Sequence, residues 1–375
     1  MSIAGALLAS LVALSAPAGQ ARQDQAFLGV FAETSIMRIA GMPALPDIEL
    51  PEGITLPGQA GPMMMPGKPQ RRLEVRLWSP GIAPQGATAS LAIPAGLKLG
   101  PKLDLTLYRP KPEESKGEVD LAPGEGGTPP DFTIKRYWGS SPTVKPGQPE
   151  VTRWDGLTPE QKAAMRDQAR KAESMRSYFY KPDWTTGYWP PEKKPGTIAK
   201  DAALAGHYAL TTTYTGNVEI DVPDKVNFLA PLELSSPDLE EAPDLAKPIA
   251  FRWKAVPNVL GYHMMIIGMQ GKNTLILWTS SEIKSDEGVQ FDFMQMAEVA
   301  ERVKSTAFMA PNRVDATVPA GIFRDCDIVF GTMIGYGPGA ALAEGQPLPR
   351  VQTKTVLQMM LGGKQMKLDV DGAGE

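Results

Sequence analysis

The chain contains one cysteine and two histidines in 375 residues. That excludes an intrachain disulfide framework and a zinc site built from Cys and His ligands. Neither sign of charge is in marked excess, with 38 Lys and Arg against 42 Asp and Glu and a net charge of −4. A general electrostatic grip on nucleic acid needs clustered Lys and Arg and is excluded with it. The longest uncharged apolar run, residues 3–16, falls short of the ~20 residues a membrane-spanning helix needs. A nucleotide-cradling loop is absent, because Gly67-Lys68 is followed by Pro69 and the upstream Gly61 sits one position too far away. The G-x-S-x-G elbow of serine hydrolases and the Asp-rich loop of EF-hands are also missing.

Turns are abundant. The 37 Gly and 36 Pro make up about a fifth of the chain, against an average near ~12% and the ~25–30% of unpatterned disorder. This composition implies a globular, loop-rich, β-leaning protein.

Residues 3–16 are Ala, Leu, Val, Ile, Gly and Ser without a charge, and Pro17-Ala18-Gly19-Gln20-Ala21 follows. Small residues at these positions suit signal peptidase, with cleavage after Ala18 or Ala21. Only Met1 and Ser2 precede the run, so the usual basic start is missing. Residues 1–21 are expected to be a signal peptide, with the mature chain exported to the periplasm or secreted. No transmembrane segment is expected after cleavage.

The remainder divides by texture. Residues 22–70 form a Pro/Gly/Met-rich extended segment with one strand near 26–36. Residues 71–157 form a first β unit, with period-two strands at 73–78, 103–108 and 132–138. Residues 158–206 hold one long helix and an aromatic-rich linker. Thr158 is the expected N-cap, Pro159 the first helical residue and Gln161 the partner that completes a capping box. The helix then runs to about Phe179. Residues 207–229 read as a β-hairpin turning at Thr215-Gly216-Asn217. Residues 230–360 carry strands at 249–253, 261–267, 274–278, 314–318, 328–336 and 351–357, with a short helix at 292–304 capped by Asp292. Residues 361–375 are a flexible tail. The fold class is mainly β: two β-sandwich-like units bridged by one long helix, with Pro/Gly-rich loops.

Within the last unit, Phe251-Arg252-Trp253-Lys254-Ala255-Val256-Pro257 and Gly261-Tyr262 resemble the second and third strands of a fibronectin type III-like domain. Val318-Pro319-Ala320-Gly321-Ile322, followed by the strand at 328–336 and Gly337-Pro338-Gly339, is similar to that family's turn into its sixth strand. The helix expected within 285–310 departs from the pattern. The resemblance covers about a third of the chain and implies a sandwich fold without any catalytic residue. Over its whole length the chain resembles exported proteins of Gram-negative bacteria, through Tyr137-Trp138-Gly139, Pro146-Gly147-Gln148-Pro149 and the Asn227-Phe228-Leu229-Ala230-Pro231-Leu232 run. That grouping implies export and no particular activity.

One cluster stands out as a ligand or interface candidate. Tyr178, Phe179, Tyr180, Trp184, Tyr188 and Trp189 fall within twelve residues. Aromatic faces stack on sugar rings and anchor interfaces, and they also plug joints between domains. Tyr178, Tyr180, Trp184, Tyr188 and Trp189 are the named candidates, with Trp184 expected to fold into the joint and Trp189 to face outward. His207 and His263 lie on strands and are read as structural residues with satisfied nitrogens. Cys326, flanked by Asp325 and Asp327, reads as a buried apolar residue. Met63, Met64 and Met65 offer soft sulfur ligands that suit Cu(I), although an apolar contact is the plainer reading. No catalytic, cofactor or metal residue is assigned. The expected role is non-catalytic, binding or envelope-associated, with an envelope glycan or protein as partner. The alternative is a hydrolase of envelope polysaccharide or peptide with loop carboxylates.

Overall fold

A computed structural model of the chain describes residues 26–43, 67–109, 132–161, 184–191, 196–284, 293–341 and 350–363. Residues 1–21, read above as a signal peptide, Met63–Met65, Tyr178, Tyr180, Asp292 and the residues beyond Gly363 lie outside the described residues. Described strands in the first half are β1 (Phe27–Ile39), β2 (Gln70–Pro80), β3 (Ala89–Ala92), β4 (Lys102–Asp104), β5 (Thr106–Tyr108), β6 (Thr133–Trp138), β7 (Glu150–Arg153) and β8 (Trp184–Trp189). Then come β9 (Thr197–Ile198), β10 (Gly206–Thr212), β11 (Val218–Val222), β12 (Leu234–Ser236), β13 (Ile249–Trp253), β14 (Gly261–Gln270) and β15 (Thr274–Thr279). A helix, α1 (Met296–Lys304), precedes β16 (Asp315–Val318), β17 (Ile328–Tyr336), β18 (Ala340–Ala341) and β19 (Arg350–Gly362).

One large sheet runs in the order β5-β8-β2-β1-β19-β17-β14-β15-β6-β7, with β9 attached to β2 and β18 to β19. Two smaller sheets, β11-β10-β3-β4 and β12-β13-β16, lie against its apolar face. The result is two sandwiches sharing a sheet. Both interiors are mapped by period-two alternation. Leu28, Val30 and Ala32 of β1 and Leu73, Val75 and Leu77 of β2 face the β10 sheet. Leu357, Met359, Met333, Met264, Ile266 and Trp278 face the β13 sheet. Trp253 alternates inward with Phe251 and Ile249, as the sequence predicts, and all three are buried.

The joint between the two units is sheet rather than helix. β1 pairs parallel with β19 from Gly29↔Arg350 to Ile39↔Met360, so the strand expected near 26–36 in the extended segment lies in the middle of the large sheet. On the apolar face, residues 223–233 cross from one small sheet to the other. Val226 and Phe228 enter the first core, and Leu229 and Leu232 enter the second. The Thr34 hydroxyl donates to the Leu229 carbonyl at 2.7 Å and ties that crossing down. The expected capping box does form: Thr158 N–H donates to Gln161 Oε1 at 2.9 Å, and Gln161 N–H to Thr158 Oγ1 at 3.2 Å. The remainder of the expected long helix, residues 162–179, lies outside the described residues.

Four further expectations are corrected. The run at 103–108 is two strands, since β4 belongs to the small sheet and β5 to the large one. Leu103 and Leu105 are buried in the core between them and Leu107 packs against it, so the chain changes sheets at Leu105 without turning its leucines away. The run at 132–138 pairs parallel with β15 and so extends the C-terminal half, because Thr133↔Thr274 to Trp138↔Thr279 offers it an open edge. Residues 184–189, expected in a linker, form strand β8 against β2. α1 begins at Met296, with Gln295 as N-cap and no side-chain cap bond.

Candidate functional site

The face of the large sheet opposite the two cores carries charge and rings. Arg76 of β2, Gly29 of β1 and Arg350 of β19 stand in one row across three strands. Glu74, Phe31 and Gln352 form the next row, and Arg72, Glu33 and Lys354 the row after it. Gly29 matters because the Phe31 ring lies over it: a Cβ there would stand 2.5 Å from Phe31 Cε2. Laid down this way, the ring sits between two guanidinium groups, 4.4 Å from Arg76 and 5.7 Å from Arg350. Arg76 is only 4% exposed and is held by Glu74 through two bonds of 2.6 and 2.8 Å. Lys354, also buried, pairs with Glu33 at 3.1 Å.

The same cluster places α1. Phe293 packs on Phe31 at 4.9 Å between centroids, and the Lys354 ammonium lies 4.3 Å above the Phe293 ring. One turn on, Met296 Sδ accepts the Gly339 N–H at 3.2 Å. Val299 is buried and would meet a Cβ at Gly261, and Phe308 stacks on Tyr336 at 5.4 Å. Held at these points, the first turn of α1 stands over the start of β19 and leaves a cleft.

That cleft has a volume of about 420 Å³. Arg350, Val351 and Gln352 form one side, Gln295, Met296, Ala297 and Ala300 the helix side, and Leu260 with Gly339 to Ala341 the remainder. Its walls are mostly apolar, and its polar groups have a sign. Arg350 is a permanent cation that is already engaged by other groups of the chain. The first-turn N–H groups of α1 have no intrahelical acceptors, and they carry the positive end of the helix dipole. Gln352 is 6% exposed, and its Oε1 is buried without a hydrogen-bond partner. An acceptor in that state costs about 1–3 kcal/mol until a donor reaches it. The nearest carboxylates of the sheet, Glu33 and Glu74, are already engaged by Lys354 and Arg76.

The three described aromatic candidates, Trp184, Tyr188 and Trp189, do not share one face. Alternation along β8 sends Trp184 and Tyr188 to the charged face and Trp189 to the core side, where it packs against the N-terminal interior. Trp184, expected as the buried plug, stacks on Phe27 instead at 5.5 Å and 20°. Trp189, expected outward, is the one that turns inward. Tyr188 pairs in register with Arg76 and lies two strands further from the cleft than Gly29.

His207 is exposed and bonded to Asp221 at 2.8 Å. His263 is 2% exposed under Phe308, and neither ring nitrogen makes a well-aligned hydrogen bond, its contact with the Ala307 backbone falling short of one. The expectation of a satisfied histidine fails there. Burial pushes its pKa down to about 4, which the Ala307 backbone opposes in part and the Arg302 charge reinforces. Cys326 is fully buried, as read from the sequence. Among the described residues no group of three His, Cys, Asp or Glu side chains could hold a metal ion, and no helix is long and apolar enough to cross a membrane.

Arg350, Gln352, Phe31 and Gly29 escaped the sequence reading. The one local signal was Gly29-Val30-Phe31, a glycine two residues before a ring on the same strand face, which marks a place where an aromatic can lie down on a sheet. No protein-family model, curated protein or solved structure matches the chain.

Proposed function

We propose that this is a non-catalytic binding protein, exported to the periplasm or secreted, whose site is the cleft between α1 and β19 and whose ligand carries an anionic group. The observation that supports it is the convergence of the uncapped start of α1 and the unpartnered Gln352 Oε1 on one apolar-walled cleft. Glu33 and Glu74 are committed to ion pairs, so neither stands ready as the acid or base that hydrolysis of an envelope polymer would need. The uncharged run at 3–16, with small residues up to Ala21, supports export. For the C-terminal sandwich, the sheets β12-β13-β16 and β15-β14-β17-β19 support the fibronectin type III-like reading, as does the edge-on packing of Trp253 against Tyr262.

The test is thermal denaturation of the full chain with acetate, phosphate, sulfate and neutral sugars. An anion should raise the melting temperature in the parent and fail to do so in Ala300→Trp, which fills the cleft from an exposed helix position. The anion should be recovered chemically unchanged. Stabilisation by sugars alone, or an equal response from Ala300→Trp, would overturn the proposal.

A further inference from the structure

A basic ring is sealed beneath the same helix that walls the cleft. His263 stands on the α1 side of β14, in register with Ile334 of β17, which in turn pairs with Val356 of β19. Ile334 and Val356, with Tyr336, Phe308 and Val299 of α1, form a small apolar core between helix and sheet. His263 is 2% exposed, with the Phe308 ring 5.0 Å from its own. We infer that protonation of His263 lifts α1 and the 305–309 segment off the large sheet, so that acid opens the cleft. Ligand release by acid rests on the binding role proposed above, whereas release of the helix does not.

The cover over His263 is short and has a pivot. α1 ends at Lys304, and Thr306 follows in the left-handed conformation with a φ of 62°. The Phe308 N–H donates to the Arg302 carbonyl at 2.9 Å, which fastens the ring to the helix so that the two move together. Met309 and Tyr262 exchange two backbone bonds of 2.8 and 2.9 Å, anchoring the chain just beyond the ring. Val299, Val303 and Phe308 give the sheet apolar contact. A charged imidazole there loses its hydration, and only a poorly aligned approach to the Ala307 backbone replaces it.

The surrounding charges also favour release. From α1, Arg302 repels a second cation; its guanidinium lies 5.5 Å from the Phe308 ring and is paired with Glu298 at 3.0 Å. Glu298, Glu301 and Lys304 are exposed. β17 and β19 bring the uncharged Ile334 and Val356, and Lys354, two residues along β19, is paired with Glu33. The loop after β15 brings Ser280 and then Glu282, whose carboxylate is held by Lys145 at 2.7 Å and Arg313 at 3.0 Å. The covered ring therefore stays neutral, with its pKa pushed down to about 4 from 6.5. Docking is fully supported above pH 6.5 and weakens as pH falls toward 4. At pH 5 these two values give about a thirtyfold shift toward the released form.

The experiment is hydrogen–deuterium exchange of the full chain at pH 7.5 and pH 5.0 without ligand, each rate taken relative to an unstructured peptide at the same pH. Amides of residues 299–309 should lose about thirtyfold in protection in the parent, while those of β10 and β13 keep theirs. In His263→Phe the loss over 299–309 should be less than about threefold. Arg302→Gln removes the repelling charge and should shrink the loss relative to the parent. Circular dichroism at both pH values confirms that each variant is folded; should His263→Phe not fold, an undiminished loss in Arg302→Gln overturns the inference. So does no loss in the parent, an equal loss in His263→Phe, or an equal loss across β10 and β13. If the helix is released but no anion stabilises the chain, the inference stands and the binding role fails separately.

Discussion

The N-terminal sandwich fills its interior with aliphatic chains, Leu73, Leu77, Leu91, Leu97, Leu103 and Leu210 among them, whereas the C-terminal one uses Phe251, Trp253, Tyr262, Trp278 and the methionines at 264, 333 and 359. Rings with polar edges do two jobs at once. Trp278 is fully buried, and its Nε1 donates to the Gly139 carbonyl at 3.0 Å, fastening the loop after β6 to the second core. Tyr262 packs edge-on to Trp253 and its hydroxyl accepts the Val256 N–H at 3.0 Å. Leucines fix no such partner. The N-terminal core relies instead on strands brought from far apart, since its small sheet joins β3 and β4 to β10 and β11. Among the described residues its one buried tyrosine, Tyr208, still donates to the Leu204 carbonyl at 2.8 Å. The contrast teaches that two sandwiches on one sheet can be held by different means, with the sheet itself carrying the coupling.

The sharpest way to break this picture is to damage each core separately. Trp278→Ala should cost about 3–5 kcal/mol and Leu77→Ala about 2–5 kcal/mol, each from lost burial and an unfilled cavity. Because β1 and β19 share one ladder, both variants should lower the midpoint of a single urea transition, seen together by circular dichroism and tryptophan fluorescence. Two separated transitions would show that the sandwiches are independent and that the shared sheet does not couple them.

A pH series separates the two halves further, since the buried histidine without a well-aligned hydrogen bond belongs to the C-terminal one. His263 has a folded pKa near 4 against 6.5 when unperturbed. The folded chain therefore prefers the neutral ring. Its contribution is complete above pH 6.5 and is lost as pH falls from 6.5 toward 4, by about 3 kcal/mol in all. Urea midpoints measured across that window should fall less steeply in His263→Phe than in the parent. Equal slopes would mean that His263 finds a proton acceptor on charging.

The smallest effect is on the charged face of the N-terminal half. Gly29→Ala should cost about 1–3 kcal/mol, because the new methyl group displaces the Phe31 ring from between Arg76 and Arg350. Phe31→Leu in the same chain should recover part of that loss, and a strictly additive double variant would refute the close approach.

The C-terminal sandwich was legible because it is contiguous. Alternation at 249–253 put Ile249, Phe251 and Trp253 on one face, and turn residues such as Gly271 marked where β14 hands over to β15. The N-terminal sandwich was legible only strand by strand. Nothing local says that the leucines at 103, 105 and 107 straddle two sheets, or that residues 133–138 leave their neighbours to pair with β15. The aromatic run at 184–189 was misread for a related reason: alternation in a strand separates Trp184 from Trp189, while a loop would let them meet. The cleft was invisible, since Gln352 becomes an unpartnered buried acceptor only once the start of α1 docks over it.

By itself, the sequence determined the class of structure. Short alternating runs punctuated by glycine and proline can satisfy their backbone groups only in sheets, and the scarcity of cysteine and histidine removed disulfides and Cys/His zinc sites from the start. Tertiary structure alone decided which strands are neighbours. The backbone donors of a strand carry no label for a partner, so the pairing of β1 with β19, from opposite ends of the chain, is selected by the burial of both apolar faces together. It also decided the site: Gly29, Phe31, Arg76, Arg350 and Gln352 acquire a common chemistry only because that pairing sets their rows side by side.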